Sequence, residues 1–243
     1  MSRFYCPDIA QTLSLTEDES NHCVRVLRIS EGDSIEVVDG KGMRYDCIIT
    51  LANHKRCEVE VVDTVPDFPH WGHTITLAVA PTKHIDRTEW MVEKCTAIGV
   101  DRIIPLSCRN GERKLLKTER LRKIMISAMK QSLKATLPVL DELTPLADFL
   151  SNLSESQRFI AYCDPLLPRE KRKNFAQVYR PSKDVTILIG PEGDFSTEEV
   201  KLAIAAGYKP VTLGASRLRT ETAAIMACSM IHTIDMAGIE NNI

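Results

Sequence analysis

Two short stretches constrain this chain more than any other: ILIGPEGDFS at 187–196 and VTLGASRLRTETA at 211–223. Each is a brief apolar run that ends in glycine, opens into a tight polar loop and passes into a helical pattern. A buried parallel strand hands over to a helix in this way in an α/β sheet, and ligands collect at the carboxyl ends of such strands. In the first stretch Ser196 and Glu199 have the spacing of a capping box, in which hydroxyl and carboxylate each satisfy a backbone amide at a helix start. In the second, Thr220 and Glu221 open a helix whose small apolar residues, Ala223 to Ile231, predict burial. One glycine-rich turn of this kind is an ordinary strand–helix connection, but two in close succession point to a ligand site.

The chain around them fits the same class. From Thr74 onward strand and helix alternate: strands over 74–80, 102–106 and 158–162, helices over 86–98 and 118–132. That alternation predicts a largely parallel α/β sheet. In helix 86–98, Asp86 and Glu89 have capping spacing, and Met91, Cys95 and Ile98 share a face. In helix 118–132, Leu121, Ile124, Met125 and Ala128 turn inward, opposite Arg120, Arg122, Lys123, Lys130 and Gln131.

Before Thr74 the pattern is different. Ser34–Val38 and Met43–Leu51 flank DGKG at 39–42, a hairpin signal. Residues 57–62 alternate glutamate with valine, so one face of that strand is wet. Residues 17–27 predict a short helix, with Val24 and Leu27 packed inward and His22, Arg25 and Arg28 presented outward. The proline-bearing stretch 64–73 reads as a linker. The expected division is a β-rich domain over 1–70 and an α/β domain over 74–243.

Charge sharpens the picture. Residues 1–70 hold 7 basic and 13 acidic side chains (net −6), residues 81–140 hold 13 and 6 (+7), and residues 141–243 hold 11 and 14 (−3). A basic centre in an otherwise acidic protein argues for a localised polyanion contact, although a solvated helix face gives the same pattern. Lys83 follows the first strand of the sheet, and CRNGERK at 108–114 follows the second. Two of the loops at the sheet's ligand-binding edge therefore carry cations, which favours RNA. The eight cysteines show no Cys-x-x-Cys, as expected of reduced thiols in a cytoplasm. No apolar run reaches a membrane span, and the start MSRFYCPD has no apolar core of a secretory signal. The pair His70 and His73 has no cysteine near it, so no metal is expected.

The loops exclude some ligands. Gly-x-Gly-x-x-Gly is absent, and GPEGDFS has no lysine while Glu192 and Asp194 would repel a phosphate. An acidic loop with exposed backbone suits a cationic nucleoside. Tyr162, Cys163 and Asp164 end another strand beside the two loops and form a candidate wall.

IGPEGDFS at 189–196 and LGASRLRTETA at 213–223 resemble the two signature loops of the ribosomal RNA uridine-N3 methyltransferases of the small subunit (the RsmE type), members of the SPOUT superfamily. The match runs along nearly the whole chain. The resemblance implies a trefoil-knotted α/β domain that binds S-adenosylmethionine and forms a homodimer, preceded by a PUA-like RNA-binding domain. It carries cofactor contacts onto Gly190, Glu192, Gly193, Leu213, Gly214, Leu218, Arg219, Thr220, Glu221 and Thr222, with Tyr162 beside them. NHCVRVLRISEGD at 21–33 resembles the PUA-like element and implies an RNA-facing role for Arg3, His22, Arg25 and Arg28. AMKQSLKATLP at 128–138 resembles another family element, with Lys134 where arginine is usual, and adds Gln131 to the RNA contacts with Lys83, Arg113, Arg120, Arg122 and Lys123. Three further departures are Gly111 for serine, Asp194 for glycine and Arg217 for an aliphatic residue.

The implied reaction methylates N3 of one uridine in 16S ribosomal RNA, presented alone or in the small subunit. N3 lies on the pairing edge, so the base must be unpaired and the N3 proton lost. Arg113 and Arg219 are candidates to stabilise the anion and Glu221 is a candidate base; each also has an ordinary structural role, since helix N-termini attract glutamate. The alternatives are a SPOUT enzyme with another target position and a non-catalytic RNA-binding assembly factor. The 219–236 helix is apolar on more than one face, which fits a symmetric homodimer.

Overall fold

The computed structural model describes residues 2–69, 71–152, 156–162 and 173–240. The chain forms two units, Met1–His70 with Ile126–Leu137 and Trp71–Met125 with Pro138–Ile243.

In the first unit the strands β1 (Arg3–Tyr5), β2 (Ser34–Val38), β3 (Met43–Leu51) and β4 (Glu58–Pro66) form one sheet in that order, with β1 parallel to β2 and the others antiparallel. Alternation puts Phe4, Ile35, Val37, Cys47, Ile49 and Val59 on one side, where they form the core. The β2–β3 hairpin closes because the Asp39 carboxylate accepts the amides of Lys41 (2.7 Å) and Met43 (3.1 Å) while Gly40 takes φ 76°. Strand β4 runs further than its alternation predicts: Thr64, Val65 and Pro66 continue to pair with Tyr45, Arg44 and Met43. The long partner strand extends the ladder into the expected linker.

The helix expected over 17–27 is interrupted. After α1 (Ile9–Thr12), α2 (Glu17–Asn21) is capped by Thr16 and passes into a π-helical turn at His22–Val26. Arg28 then sits at φ 56°. The extra residue in the turn rotates the helix end, so Val24 packs on the core but Leu27, expected inside, is 42% exposed. Residues 126–137 pack into this unit instead of staying with the α/β domain. Met129 and Ala135 cluster with Val38, Leu137 donates its amide to the Gly40 carbonyl at 2.9 Å, and Lys130 pairs with Glu19 at 2.5 Å.

The second unit is built on a parallel sheet. Its strands are β5 (Ile75–Val79), β6 (Arg102–Ser107), β7 (Val139–Leu140), β8 (Thr144–Pro145), β9 (Gln157–Ala161), β10 (Val185–Ile189) and β11 (Lys209–Val211). The order is β11-β9-β10-β5-β6-β7, with β8 also on β6, and every pairing is parallel. Strand β10 is buried at all five positions, as an uninterrupted apolar run predicts for the centre of such a sheet.

Helices α5 (Leu146–Ser151) and α7 (Thr197–Ala205) pack on one side, over Ala78, Ile104, Ile160 and Leu188. Helix α3 (Ile85–Ile98) packs on α8 (Thr220–Glu240), which also lies on β5 and β10. The remaining helices are α4 (Thr118–Gln131) and the short α6 (Phe175–Val178). The capping box of Ser196 and Glu199 forms. That of Asp86 and Glu89 does not: α3 begins one residue earlier with His84 at the cap and no side-chain bond, because Glu89 is drawn to Arg120. Within α8, Ala224, Ala227, Cys228 and Ile231 are buried but Met226 is exposed, so the stretch expected to be buried is so on one side only. Among the described residues no helix is long and apolar enough to cross a membrane.

Candidate active site

Four loops meet at the carboxyl edge of the second unit's sheet, after β5, β6, β10 and β11, and hydrogen bonds between them form the site. The β10 loop starts at Gly190, whose carbonyl accepts the Thr220 hydroxyl at 2.9 Å. That bond fixes the first residue of α8 against the first signature loop. The turn tightens as Asp194 donates its amide to the Pro191 carbonyl (2.9 Å) and turns its own carboxylate to the Phe195 amide (2.8 Å). Asp194 sits at φ 61°, a left-handed position that asparagine and aspartate tolerate and glycine prefers. This is the physical reason that glycine is usual here and aspartate is an acceptable departure. Burial pushes the Asp194 carboxyl above its ordinary range, and the Phe195 amide and Arg217 partly offset that.

The β5 and β6 loops close around it. Glu192 accepts the Lys83 amide at 2.9 Å, and Lys83 pairs through its ammonium with Glu112 at 2.8 Å. Arg113 spans the same loop: Nε donates to the Thr82 carbonyl at 3.0 Å and Nη2 to the Lys83 carbonyl at 2.5 Å. Asn110 donates to the carbonyls of Gly193 (3.2 Å) and Asp194 (3.0 Å), and the Arg109 amide bonds Glu199 at 2.7 Å.

At the β11 loop, Gly214 takes φ 134°, and a Cβ built there would meet nothing within 4 Å. Only glycine adopts that backbone without strain, and the space above it is open. Seven residues on, Glu221 is 5% exposed, and its Oε2 has no hydrogen-bond partner among the described residues. Its other oxygen lies 4.0 Å from Nε of Arg87. A buried carboxylate oxygen without a partner is costly, and here it stands at the start of α8, seven residues after an open glycine backbone. The arrangement accepts hydrogen bonds from a small ligand and favours a positive one.

Of the residues expected here, Lys83, Arg113, Gly190, Glu192, Gly193 and Thr220 are joined by these bonds, while Glu221 meets only Arg87, at 4.0 Å. Leu213 and Leu218 are half-buried, Thr222 is exposed, and Arg219 is exposed and forms no ion pair among the described residues. Tyr162 follows β9 and donates its amide to the Val211 carbonyl at 3.2 Å; Cys163 and Asp164 lie outside the described residues. Asn110 and Arg87 were missed, since asparagine in a polar loop and arginine in a helix's first turn carry no distinctive signal.

The expected RNA contacts divide. His22 and Arg25 are exposed on the first unit's π turn and Arg28 just after it, Gln131 is exposed at the end of α4, and Arg122 and Lys123 are exposed on α4. One expectation needs correction: Arg3 is turned inside the first unit, with its side chain 7% exposed and paired with Glu36 at 2.9 Å and Asp67 at 3.5 Å. Arg120 is exposed on α4 and pairs with Glu89 at 2.6 Å, as Lys83 pairs with Glu112. His73 is buried against Tyr179 (3.2 Å) and Asp235 (3.3 Å), and His70 lies outside the described residues.

An RNA methyltransferase domain is recognised over residues 70–232 and an RNA methyltransferase PUA domain over residues 15–62. The ribosomal RNA small subunit methyltransferase E of Rickettsia conorii is 29% identical over 229 residues, 91% of this chain and 90% of the relative. A crystal structure from Porphyromonas gingivalis, described as a probable rRNA-methyltransferase, is 44% identical with a TM-score of 0.92, covering 98% of this chain and 100% of that one. The ribosomal RNA small subunit methyltransferase E of Neisseria gonorrhoeae, solved bound to S-adenosyl methionine, is 26% identical with a TM-score of 0.84, covering 96% and 98%. With both of its parts matched and the loops of the site assembled, the chain belongs to the family of RNA methyltransferases that join this α/β domain to a PUA domain.

Proposed function

We propose that this protein methylates N3 of a specific uridine in the 16S ribosomal RNA of the small subunit, using S-adenosylmethionine held at the β10 and β11 loops. The observation that carries the reading is the pair of features on the loop between β11 and α8 and at the start of α8: the open, positive-φ backbone at Gly214 and the buried oxygen of Glu221, which has no hydrogen-bond partner among the described residues. The backbone allows close approach by a nucleoside, and the carboxylate suits a ligand with donors and positive charge. The relatives named for small-subunit rRNA methylation, one of them with this cofactor bound, support the choice of ligand and substrate. Bound there, S-adenosylmethionine supplies a methyl group on a positively charged sulfur.

The chain's own residues have three tasks. Gly190, Glu192, Gly193, Leu213, Gly214, Leu218, Thr220 and Thr222 hold the cofactor, largely through backbone that their mutual bonds keep in place, with Tyr162 as a wall. Arg113, whose Nε and Nη2 are occupied, keeps a third nitrogen for the uracil anion, and Arg219 is a second cation for it. Glu221 receives the N3 proton. His22, Arg25, Arg28, Lys83, Arg122, Lys123 and Gln131 hold the RNA so that the base stays unpaired. The sheet order, with β9 and β10 between β11 and β5, suits the knotted topology implied by the signature loops.

The exposed apolar side chains Trp90 on α3 and Met226 and Met236 on α8 fit a symmetric homodimer, which light scattering would report as twice 27.2 kDa. The setting is the cytoplasm, where the small subunit is assembled.

Nucleoside mass spectrometry after incubation with S-adenosylmethionine and small-subunit RNA tests the reading. 3-Methyluridine is expected. Methylation of a ribose hydroxyl or of another base would replace the target, and RNA binding without any transfer would make the protein an assembly factor.

A further inference from the structure

The second unit carries a cleft whose cations the proposed reaction does not use, although it shares Tyr162 with the wall of the cofactor site. It lies at the edge of the sheet, between β9, β11 and α6, and among the described residues Arg158, Lys173, Arg180 and Lys209 line it with no aspartate or glutamate. Lys173 and Arg180 come from a basic stretch, residues 169–183, inside a region, residues 141–243, whose net charge is −3. Folding sets Lys209 of β11 and Arg158 of β9 beside that stretch. Lys173, Arg180 and Lys209 are exposed, and among the described residues none of them forms an ion pair.

The cations stand on fixed backbone. The Lys173 carbonyl accepts the Thr212 amide at 2.9 Å. Arg180 is clamped by Gln157, which accepts its amide at 2.8 Å and donates to its carbonyl at 2.8 Å. Lys209 is in register with Phe159 on the β11–β9 ladder. Their roots are held while their charged ends form no ion pair among the described residues, an arrangement suited to a ligand met at several points. Two of these exposed cations flank α6 and the third is on β11, whereas a site for a single small anion requires cations gathered at one buried point. The three suit an extended polyanion whose charges are spaced along a chain.

The cleft is continuous in sequence with the candidate active site. Val211 and Thr212 line it, and Leu213 and Gly214 of the second signature loop come directly after them. We infer that this cleft binds the phosphodiester backbone of the RNA substrate beside the target uridine, through Lys173, Arg180 and Lys209. The inference rests on the RNA methyltransferase reading and adds a contact that neither the charge map nor the signature loops indicate.

The test compares wild type with Lys173→Ala/Arg180→Ala/Lys209→Ala, using small-subunit rRNA over a series of salt concentrations. The triple variant is expected to bind RNA at least about tenfold more weakly at low salt. Its salt slope should be smaller by roughly two to three units, at about 0.7–0.9 per lost phosphate contact. S-Adenosylmethionine affinity, measured by calorimetry, should stay unchanged and report an intact site. A second measurement needs no variant: bound RNA should protect Lys173 and Lys209 of the wild type from chemical acetylation. Wild-type RNA affinity and slope in a folded triple variant, or acetylation unaffected by RNA, would overturn the inference alone. Competition by inorganic phosphate for these lysines with RNA binding untouched would overturn it in favour of a small-anion site. If wild type binds no RNA, the functional reading fails and this inference fails with it.

Discussion

The carboxylate of Glu192 accepts the backbone amide of Lys83 at 2.9 Å, joining two loops that lie 109 residues apart in sequence. Arg113 reinforces the same junction from the other side through the carbonyls of Thr82 and Lys83. The acidic character of the first signature loop therefore has a structural use as well as an electrostatic one. Glu192→Ala removes a charged acceptor near solvent, worth about 1.5 kcal/mol at the low end of such bonds. S-Adenosylmethionine affinity should fall about tenfold. Glu192→Gln keeps an acceptor oxygen and should lie close to wild type. Calorimetry on both variants checks this, and equal losses in the two would mean that the charge, and not the tether, matters.

Gly214 makes the sharpest prediction about the cofactor. At φ 134° a side chain is strained by about 1–3 kcal/mol whatever surrounds it. With nothing within 4 Å of its Cβ, the added group points where the ligand is expected. Gly214→Val should leave a folded protein with a lower Tm and at least about tenfold weaker S-adenosylmethionine binding. Gly214→Ala should share most of the stability loss and less of the binding loss. A valine variant with wild-type affinity would move the pocket elsewhere.

Asp194 links backbone conformation to pH. Its folded-state carboxyl pKa is raised, with burial as the largest cause. A raised carboxyl means that the folded state binds the proton more readily than the unfolded state, so this residue costs stability as pH rises through that value and costs nothing in acid. Asp194→Asn keeps the oxygen that accepts the Phe195 amide and tolerates φ 61°, but carries no charge. Its Tm should exceed that of wild type near neutral pH, and the gap should close in acid. A gap that does not change with pH would show that the carboxylate is not strained by its surroundings.

Local features of this fold were legible in the sequence, and features that depend on distant partners were not. The apolar run of β10, the capping box of Ser196 and the Asp39 hairpin arise from neighbours within a few residues. Glu89 shows the limit: its spacing from Asp86 suggests a cap, but Arg120 lies 31 residues away and takes the carboxylate. Arg3 is hidden for the same reason, since Glu36 is its partner on the neighbouring strand. The π turn at His22–Val26 inserts one residue that periodicity does not register. The site obeyed the same rule. The signature loops announced themselves, whereas Asn110 and Arg87 matter only through the groups they meet. The basic cleft draws on residues up to about fifty positions apart, on β9, on either side of α6 and on β11, which only the fold brings together.

Arg120, Arg122 and Lys123 are all exposed on α4, but only Arg120 has an acid partner among the described residues, Glu89, whose side chain is mostly buried. Arg122→Ala/Lys123→Ala should flatten the salt dependence of RNA binding by roughly one unit per lost contact. Adding Arg120→Ala should change that slope little. It should instead lower Tm, because Glu89 is left without its partner at a loss of about 1 kcal/mol or more. A third full unit of slope from Arg120 would show that the pair opens to meet RNA.

Arg113 separates positioning from chemistry. Two of its nitrogens hold the Thr82–Lys83 carbonyls, so any substitution loosens the loop that Glu192 also tethers. Arg113→Lys keeps a charge but cannot reproduce the fork to two carbonyls. It should therefore report the positioning part, as weaker S-adenosylmethionine binding. Arg113→Ala loses the charge as well. If the remaining nitrogen faces the uracil anion, its single-turnover rate should fall about a hundredfold or more, the scale of removing one donor from a developing anion. RNA affinity should change only a few fold. Raising the pH should restore part of the alanine variant's rate, because more of the uridine is then already deprotonated. The lysine variant should show less of this rescue. Matching losses of rate and RNA affinity in Arg113→Ala, without recovery at high pH, would make Arg113 a phosphate clamp that also braces the loop.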